Sequence, residues 1–210
     1  MTGVLLTGFE PFGGAAANPS ADAVRLAADR WRGPEPLAVG ILPVTFAGSG
    51  PRLRALLAEH DPEVVIAVGV AGGRSSIGVE RVAVNLRDAR IPDNAGAQPS
   101  SGPSVPGGPP AWFATLPVKR IVRDVRAAHI PCELSLSAGT FVCNNVFAHA
   151  MDAASARVRA GFIHVPWATG QAPHGEPELP LADIARALSI AARTALDAPD
   201  DVDEPGGTLH

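Results

Sequence analysis

The chain of 210 residues has few of the features that mark disulfide-bonded, zinc-binding or membrane-bound proteins. It contains two cysteines, Cys132 and Cys143, which cannot form a disulfide framework and which fit a reducing compartment. Four zinc ligands at finger-like spacing are missing, and no metal or other cofactor is expected. No apolar run is long enough to span a bilayer, and the first eight residues do not resemble a secretion signal. These absences predict a cytoplasmic protein.

An excess of positive charge is also missing. Lysine and arginine number 17 against 21 aspartates and glutamates, which gives a net charge of −4. Neither nucleic acid nor an anionic membrane would attract such a chain, so we expect neither as a partner. Glycine-rich turns at Gly13-Gly14 and Gly72-Gly73 leave phosphate or nucleotide binding as an alternative, but no phosphate-binding glycine motif supports it.

What the sequence does contain is a regular alternation of short apolar strands and amphipathic helices. Five strands are predicted, at residues 4–8, 37–44, 63–70, 134–138 and 161–166. Residues 79–86 fit either a strand or an edge hairpin, and the proline- and glycine-rich stretch 92–110 predicts a long mobile loop. Helices are predicted to open at Ser20, at Ser49 and Pro51, at Pro117, near Cys143 and near Leu181.

This alternation predicts an α/β fold, because a strand followed by a helix returns to a parallel strand in the same sheet. We expect residues 1–197 to form a single-domain three-layer α/β/α sandwich around a twisted, largely parallel (mixed) central sheet. Residues 198–210 are rich in aspartate and glutamate and are expected to be a disordered tail.

Cys143 is the residue that we predict to carry the chemistry. It follows the predicted strand 134–138 and lies where a helix begins, so unpaired backbone N–H groups and the positive end of the helix dipole surround it. Both favour the thiolate, which is the nucleophilic form of cysteine. The alternatives are a small buried side chain without chemical function, and a redox role in which Cys132 resolves an oxidised Cys143.

A cysteine nucleophile needs a base, and His164 is the histidine placed best to supply it. It lies near the carboxyl end of an apolar strand, where open α/β sheets bind ligands. A hydrogen-bonded core histidine is the alternative. A third group would orient the imidazole, and Glu80 is a candidate, although the residues alone favour a surface carboxylate paired with Arg81.

Several segments in order resemble the pyroglutamyl peptidase I family (pyrrolidone-carboxylate peptidases). The resemblance runs from the first strand to the last helix and is found in segments 8–14, 18–20, 71–74, 80–82, 88–94, 116–122, 139–144 and 161–166. It implies a cysteine peptidase that hydrolyses the amide bond after an N-terminal pyroglutamate, through a thioester acyl-enzyme. It further implies Cys143 as nucleophile, His164 as general base and acid, and Glu80 as the group that orients His164.

The resemblance also implies a pocket for the pyroglutamyl lactam and a homotetramer. A flat, neutral lactam calls for aromatic walls and a few hydrogen bonds, and no anionic anchor. The positions matched to the pocket are Phe9, Phe12, Asn18, Val70, Phe141 and Val142. Core packing is the alternative for the two early phenylalanines.

Two positions depart from the family pattern. Val70 stands where many bacterial relatives have a glutamine whose amide is thought to contact the lactam, and the loop at 167–171 lacks an acidic residue that many relatives have before Gln171. Val70 leaves open a related hydrolase with altered acyl specificity, and a non-catalytic α/β protein that binds a small molecule is the other alternative. Arg90 is either a surface arginine or a contact for the departing peptide.

Overall fold

The structure is a computed structural model that describes residues 3–155, 157–173, 175–198 and 200–206. Its central feature is one mixed sheet between two layers of helices. The strands are β1 (Val4–Phe9), β2 (Leu37–Leu42), β3 (Val64–Val70), β4 (Ile77–Glu80), β5 (Val82–Val84), β6 (Ala111–Phe113), β7 (Cys132–Ser135), β8 (Arg159–Val165), β9 (Trp167–Ala168) and β10 (Glu178–Leu179). The helices are α1 (Pro19–Asp29), α2 (Phe46–His60), α3 (Val118–Ala127), α4 (Val142–Ala153) and α5 (Leu181–Asp197).

The central sheet has six strands in the order β2-β1-β3-β8-β4-β7. Strands β2, β1, β3 and β8 are parallel, whereas β4 runs antiparallel to β8 and parallel to the edge strand β7. The carboxyl ends of β1, β3 and β8 therefore meet at one edge, together with the amino end of β4. Two small two-stranded sheets, β5–β6 and β9–β10, flank it.

Each face of the sheet buries its own apolar core. Helices α1, α3 and α5 cover one face, where Leu6, Ile66 and Ile163 are fully buried. Helices α2 and α4 cover the other, where Leu5 and Phe162 are fully buried. Alternate residues of β1, β3 and β8 point to opposite faces, so these strands need apolar residues at nearly every position. The predicted α/β/α sandwich is confirmed.

Three helix starts differ from the sequence prediction or refine it. Asn18, and not Ser20, caps α1, since its side-chain oxygen accepts a hydrogen bond from the Ser20 N–H at 3.1 Å. Helix α2 begins at Phe46 with Thr45 as its cap, and Pro51 lies inside the helix. Pro51 is still within the first two turns, where few intrahelical N–H bonds are lost. Helix α3 begins at Val118 directly after Pro117, close to the prediction.

The strand predicted at 134–138 was placed wrongly. Strand β7 spans Cys132–Ser135, and residues 136–141 form an irregular connection to α4. Gly139 in this connection has a φ of +74°, a conformation that favours glycine. The ambiguous stretch 79–86 divides between two sheets, with β4 inside the central sheet and β5 outside it.

The segment predicted as a long loop, residues 92–110, has no strand or helix and is held by buried polar contacts. The Asp93 carboxylate accepts hydrogen bonds from the N–H groups of Phe46, Ala95 and Ala97 at 2.8–2.9 Å. Asp93 therefore joins the loop to the positive end of α2, where an acidic group is favourable.

Part of the acidic tail packs on the domain. The Asp201 carboxylate accepts hydrogen bonds from the backbone N–H groups of Lys119 and Arg120 at the start of α3. The tail that we expect to be disordered thus contacts α3 through Asp201, and Pro199 and residues 207–210 lie outside the described residues. Among the described helices, none has the length and apolar character needed to cross a bilayer.

Candidate active site

Cys143 is the second residue of α4, at the edge of the sheet where β3 and β8 end. Phe141 precedes the helix and makes no side-chain capping hydrogen bond. The first N–H groups of a helix have no intrahelical acceptor, so they remain available to an anion at this end. The predicted position of Cys143 at a helix N-terminus is confirmed.

The first turn of α4 is fixed by the fully buried Asn144. Its side-chain oxygen accepts a hydrogen bond from the Val84 N–H at 3.0 Å, and its amide donates to the carbonyls of Val84 and Leu86. These bonds tie α4 to β5 immediately beside Cys143. The family-like segment contained Asn144, but its anchoring role depends on a strand about 60 residues away in sequence.

Gly69 makes room for the cysteine sulfur. A Cβ atom at this position of β3 would lie 2.8 Å from the Cys143 Sγ and 2.9 Å from the Phe162 ring. Gly69 is also the register partner of His164 on β8. The sulfur therefore lies over β3, the strand that pairs with the strand of His164. No role was predicted for Gly69, although a glycine inside a buried strand often marks a close approach.

His164 is near the carboxyl end of β8 and faces the same side of the sheet as α4. It is 5 % exposed, and its ring packs against Phe162 with centroids 4.8 Å apart. The Nδ1 atom lies 2.7 Å from the Glu80 Oε1. An ionised carboxylate only accepts hydrogen bonds, so Nδ1 carries the proton and Nε2 is left as the basic nitrogen.

Glu80 is not a surface carboxylate paired with Arg81. It ends β4 inside the sheet, has no solvent exposure, and contacts His164 and Arg74. In the antiparallel pair, Gly78 lies opposite His164 and Glu80 opposite Phe162, so Glu80 reaches the imidazole diagonally across the strands. Only the strand register shows this, because the two residues are 84 positions apart.

Cys143 and His164 line one cavity of about 430 Å³. Its walls include Phe9, Phe12, Val70, Phe141 and Val142, so every predicted pocket side chain except Asn18 forms part of a largely apolar surface. The Phe141 ring lies 6.5 Å from that of Phe12 and 5.4 Å edge-on to that of Phe46. Arg74 and Arg90 also border the cavity, whereas none of the described residues that line it is an aspartate or glutamate.

Asn18 borders the cavity but is 3 % exposed and already engaged. Its oxygen accepts from the N–H and hydroxyl of Ser20, and its amide donates to the Glu10 carbonyl at 2.9 Å. These bonds fix the turn that carries Phe12. Asn18 therefore supports the pocket wall, a contribution that its position in the motif did not reveal.

The position of Phe12 depends on a second polar contact that sequence analysis missed. The Asn94 amide donates to the Glu10 carboxylate at 3.0 Å and to the Pro11 carbonyl at 2.9 Å. The same Glu10 oxygen accepts from the Val44 N–H at 3.1 Å. The segment 92–97 thereby joins the β1–α1 turn to the start of α2.

The resting thiol of Cys143 is not the stabilised thiolate that sequence analysis predicted. The pKa of the Cys143 thiol is raised to about 12, chiefly by burial and also by the Glu80 carboxylate, while Arg74 and a backbone N–H act in the opposite direction. A negative charge on the sulfur therefore requires a nearby acceptor for its proton. His164, whose Nδ1 is fixed by Glu80, is the basic group that shares the cavity.

Cys132 does not share this environment. It begins β7 and packs in the core formed with α1, α3 and α5, on the other face of the sheet from Cys143. Burial raises the pKa of the Cys132 thiol to about 12. This separation argues against a resolving role for Cys132.

A larger depression of about 670 Å³ lies between the end of α1 and helices α3 and α5, and contains none of the candidate residues. Within the described part of the chain, no cluster of three or more histidine, cysteine or acidic side chains could hold a metal ion. The chemistry therefore concentrates in the smaller cavity.

Comparison with known proteins agrees with this geometry. The family model described as pyroglutamyl peptidase matches residues 2–198. The chain belongs to the pyroglutamyl peptidase family. It is 48% identical over 212 residues to a pyrrolidone-carboxylate peptidase of Clavibacter michiganensis and 47% identical over 216 residues to one of Cupriavidus necator. Both alignments cover all of this chain and all of the relative.

Solved pyroglutamyl peptidase structures share the fold. The enzyme of Bacillus amyloliquefaciens superposes with a TM-score of 0.92 at 44% identity, covering 96% of this chain and 100% of that one. The pyrrolidone carboxyl peptidase of Thermococcus litoralis gives a TM-score of 0.92 at 37% identity, covering 98% and 100%. Membership in this family of cysteine-type exopeptidases and its α/β fold are thus established.

Proposed function

We propose that the protein hydrolyses the amide bond that follows an N-terminal pyroglutamate. The observation that carries this proposal is the 2.7 Å contact between His164 Nδ1 and Glu80 Oε1, in a cavity that also contains Cys143 at a helix N-terminus. A nucleophile, a base and an orienting carboxylate are the groups that acyl transfer requires. Family membership supplies the substrate class.

The reaction begins when His164 Nε2 takes the proton from the Cys143 Sγ and the sulfur attacks the pyroglutamyl carbonyl. Glu80 keeps the imidazole in the required tautomer and stabilises its charged form. N–H groups in the first turn of α4 donate to the oxyanion of the tetrahedral intermediate, a contribution worth about 3 kcal/mol for one donor. His164 then returns the proton to the departing amine, which leaves a thioester on Cys143.

Water completes the cycle. His164 accepts a proton from the water molecule as it attacks the thioester carbonyl, and pyroglutamate is released with the thiol restored. No step requires a metal or cofactor. Arg90 borders the cavity beside the 136–141 connection and is our candidate for a contact with the departing peptide chain.

The cavity suits a neutral lactam. Aromatic and aliphatic walls cover the faces of a small ring, and an N-terminal ammonium would find arginines but no carboxylate among the described residues of the cavity wall. Val70 is 9% exposed and cannot hydrogen-bond through its side chain. We expect backbone groups at the cavity wall to supply the hydrogen bonds to the lactam.

A panel of fluorogenic amides tests this function. We expect turnover of the pyroglutamyl amide, little turnover of prolyl and glutamyl amides, and none with Cys143→Ala. A cyclopentanecarbonyl amide has the ring shape without the lactam hydrogen-bonding groups. If it were cleaved at the same rate as the pyroglutamyl amide, recognition would depend on the shape of the ring alone. That result would support the alternative of an altered acyl specificity caused by Val70. No turnover of any lactam amide by the wild-type protein would refute the proposal.

We further propose a cytoplasmic homotetramer that acts on N-terminally pyroglutamylated peptides and binds neither nucleic acid nor membranes. Family resemblance supports the assembly, and the net charge of −4 supports the absence of anionic partners. Light scattering coupled to gel filtration would measure the mass, and a monomer at micromolar concentration would contradict the tetramer. Fractionation of cells that express the protein tests its location.

A further inference from the structure

Arg74 is an arginine beside the active site to which the mechanism above gives no part. It lies in the turn between β3 and β4, and its Nη1 donates a hydrogen bond to the Glu80 Oε1 at 3.0 Å. The same oxygen contacts His164 Nδ1 at 2.7 Å. Arg74, Glu80 and His164 thus share one acceptor atom.

Two features hold the guanidinium in place. Its Nη2 donates to the Ser135 Oγ at 3.4 Å, at the end of the edge strand β7, and to the Ser137 carbonyl at 3.2 Å, in the connection that follows. Its Nη1 occupies the space over Gly78, where a Cβ atom would approach to 2.4 Å. A glycine in β4 therefore leaves the room through which Arg74 reaches Glu80.

The charge of Glu80 explains why such a contact is needed. The carboxylate is fully buried, and its Oε2 has no hydrogen-bond partner among the residues that the structure describes. A buried carboxylate is costly unless a cation or several donors compensate it. Because His164 must be neutral to act as a base, it cannot supply the compensating positive charge in the resting enzyme, whereas Arg74 can.

We propose that Arg74 is a positioning residue that keeps Glu80 ionised with Oε1 directed at His164, and thereby sets the pH range in which the site works. The proposal rests on the function proposed above. Other ionisable groups surround this unit on each neighbouring element: His164 on β8, Cys143 on α4, Glu133 opposite Gly78 on β7, Arg90 at the cavity and Glu176, which accepts from the Gly73 N–H.

The direction of the effect follows from electrostatics. A fixed positive charge next to a set of coupled ionisable groups favours the loss of protons from that set as a whole. Consistent with this, the charge of Arg74 lowers the pKa of the Cys143 thiol, against burial and Glu80, which raise it. Removing the charge must therefore move both limbs of the pH profile of kcat/KM to higher pH.

The test compares wild type with Arg74→Gln, Arg74→Lys, Gly78→Ala and Arg52→Gln on the pyroglutamyl amide. We expect Arg74→Gln to lower kcat/KM at neutral pH about tenfold or more. Both limbs of its pH profile should also move to higher pH by about one pH unit. Arg74→Lys keeps the charge and should restore the limbs, at some cost in rate because lysine lacks the planar fork. Arg52 is exposed on α2, so Arg52→Gln should leave the profile unchanged.

Gly78→Ala retains Arg74 but displaces its guanidinium, so it should shift the limbs in the same direction. It keeps the test decisive if Arg74→Gln does not fold, because the atom it displaces is the end of a flexible side chain. Unshifted limbs in both Arg74→Gln and Gly78→Ala, or in the one that folds, would overturn the proposal whatever the loss of rate. So would a shift to lower pH.

Alkylation of Cys143 by iodoacetamide gives a readout that does not depend on turnover. Its pH profile should move upward in Arg74→Gln, with Cys143→Ala as the background for Cys132. A wild-type protein that fails to cleave any amide but shows this shift would refute the proposed function and leave the role of Arg74 standing. An unshifted alkylation profile in an active Arg74→Gln enzyme would overturn that role alone.

Discussion

Cys132 and Cys143 lie on opposite faces of the same sheet, and burial raises the pKa of each thiol to about 12. Each also has an acidic neighbour, Glu133 beside Cys132 and Glu80 near Cys143. What differs is the rest of the surroundings. Cys132 is enclosed in a core, whereas Cys143 is half-buried, opens into a cavity and shares it with His164. The pKa of the resting thiol therefore does not show which cysteine is the nucleophile, whereas the presence of a base in the same cavity does.

Exchanging each cysteine for alanine is the most direct way to break this comparison. Cys143→Ala should lower kcat/KM for the pyroglutamyl amide by at least about a thousandfold, since the nucleophile is lost. Cys132→Ala should keep the activity per folded molecule and lower the free energy of unfolding by about 1 kcal/mol, since a small buried group is removed. Measured kinetics and urea unfolding check both. Equal losses of activity in the two variants would contradict the assignment.

The acidic neighbours offer the next comparison. Glu80→Gln should lower kcat/KM by about a hundredfold to a thousandfold, because an amide cannot stabilise the imidazolium form of His164. Glu133→Gln removes the same charge next to Cys132 on the exposed edge strand and should change kcat/KM by less than about twofold. Steady-state kinetics at several pH values provide the measurement. A wild-type rate for Glu80→Gln would remove Glu80 from the mechanism.

The space around the sulfur can be tested with two glycines. Gly69→Ala would place a Cβ 2.8 Å from the Cys143 Sγ, so we expect kcat to fall about tenfold to a hundredfold through displacement of the nucleophile. Gly161→Ala crowds Leu116 at 2.4 Å on the other face of the sheet and should cost stability without changing kcat of the folded fraction. Thermal unfolding and active-site titration separate the two effects. An unchanged kcat in folded Gly69→Ala would argue against a constrained sulfur.

The smallest expected effect is the pH dependence of stability. A thiol pKa raised above 9 in the folded state stabilises the protein fully below pH 9, and that contribution is lost as pH rises toward about 12. For Cys132 the loss is about 1.4 kcal/mol per pH unit above 9. Cys132→Ala should remove the contribution of Cys132 to this slope. Urea unfolding from pH 8 to pH 10.5 measures the slopes, and identical slopes in wild type and Cys132→Ala would show that the Cys132 pKa is not raised.

Local patterns in the sequence predicted much of the fold. Continuous apolar runs such as β3 and β8 identified buried parallel strands, because side chains on both faces of such a strand must be apolar. The predictions of helix starts were less accurate. Ser20 looked like a cap, yet Asn18 takes that place because its side chain also reaches Glu10, a contact that depends on the fold of the turn.

For a similar reason, some residues of the candidate site could be predicted from the sequence and others could not. Cys143 and His164 stand out locally, one at a helix start and the other near the end of an apolar strand. Glu80 looked like a surface residue until resemblance to a family assigned it a role, and Arg74, Gly69 and Gly78 received none. Their roles arise between strands, from the register that places Gly78 opposite His164 and from the approach of Cys143 to Gly69.

The sequence by itself determined that this chain is an α/β protein of the pyroglutamyl peptidase type with Cys143 at the start of a helix, since apolar periodicity and motif order are properties of the linear chain. The tertiary structure alone decided that the thiol needs a partner. Packing buries the sulfur and raises its pKa to about 12, and the antiparallel pairing of β4 with β8 brings Glu80, and with it Arg74, to His164. Burial and charge act through space, so residues distant in sequence set the chemistry of Cys143.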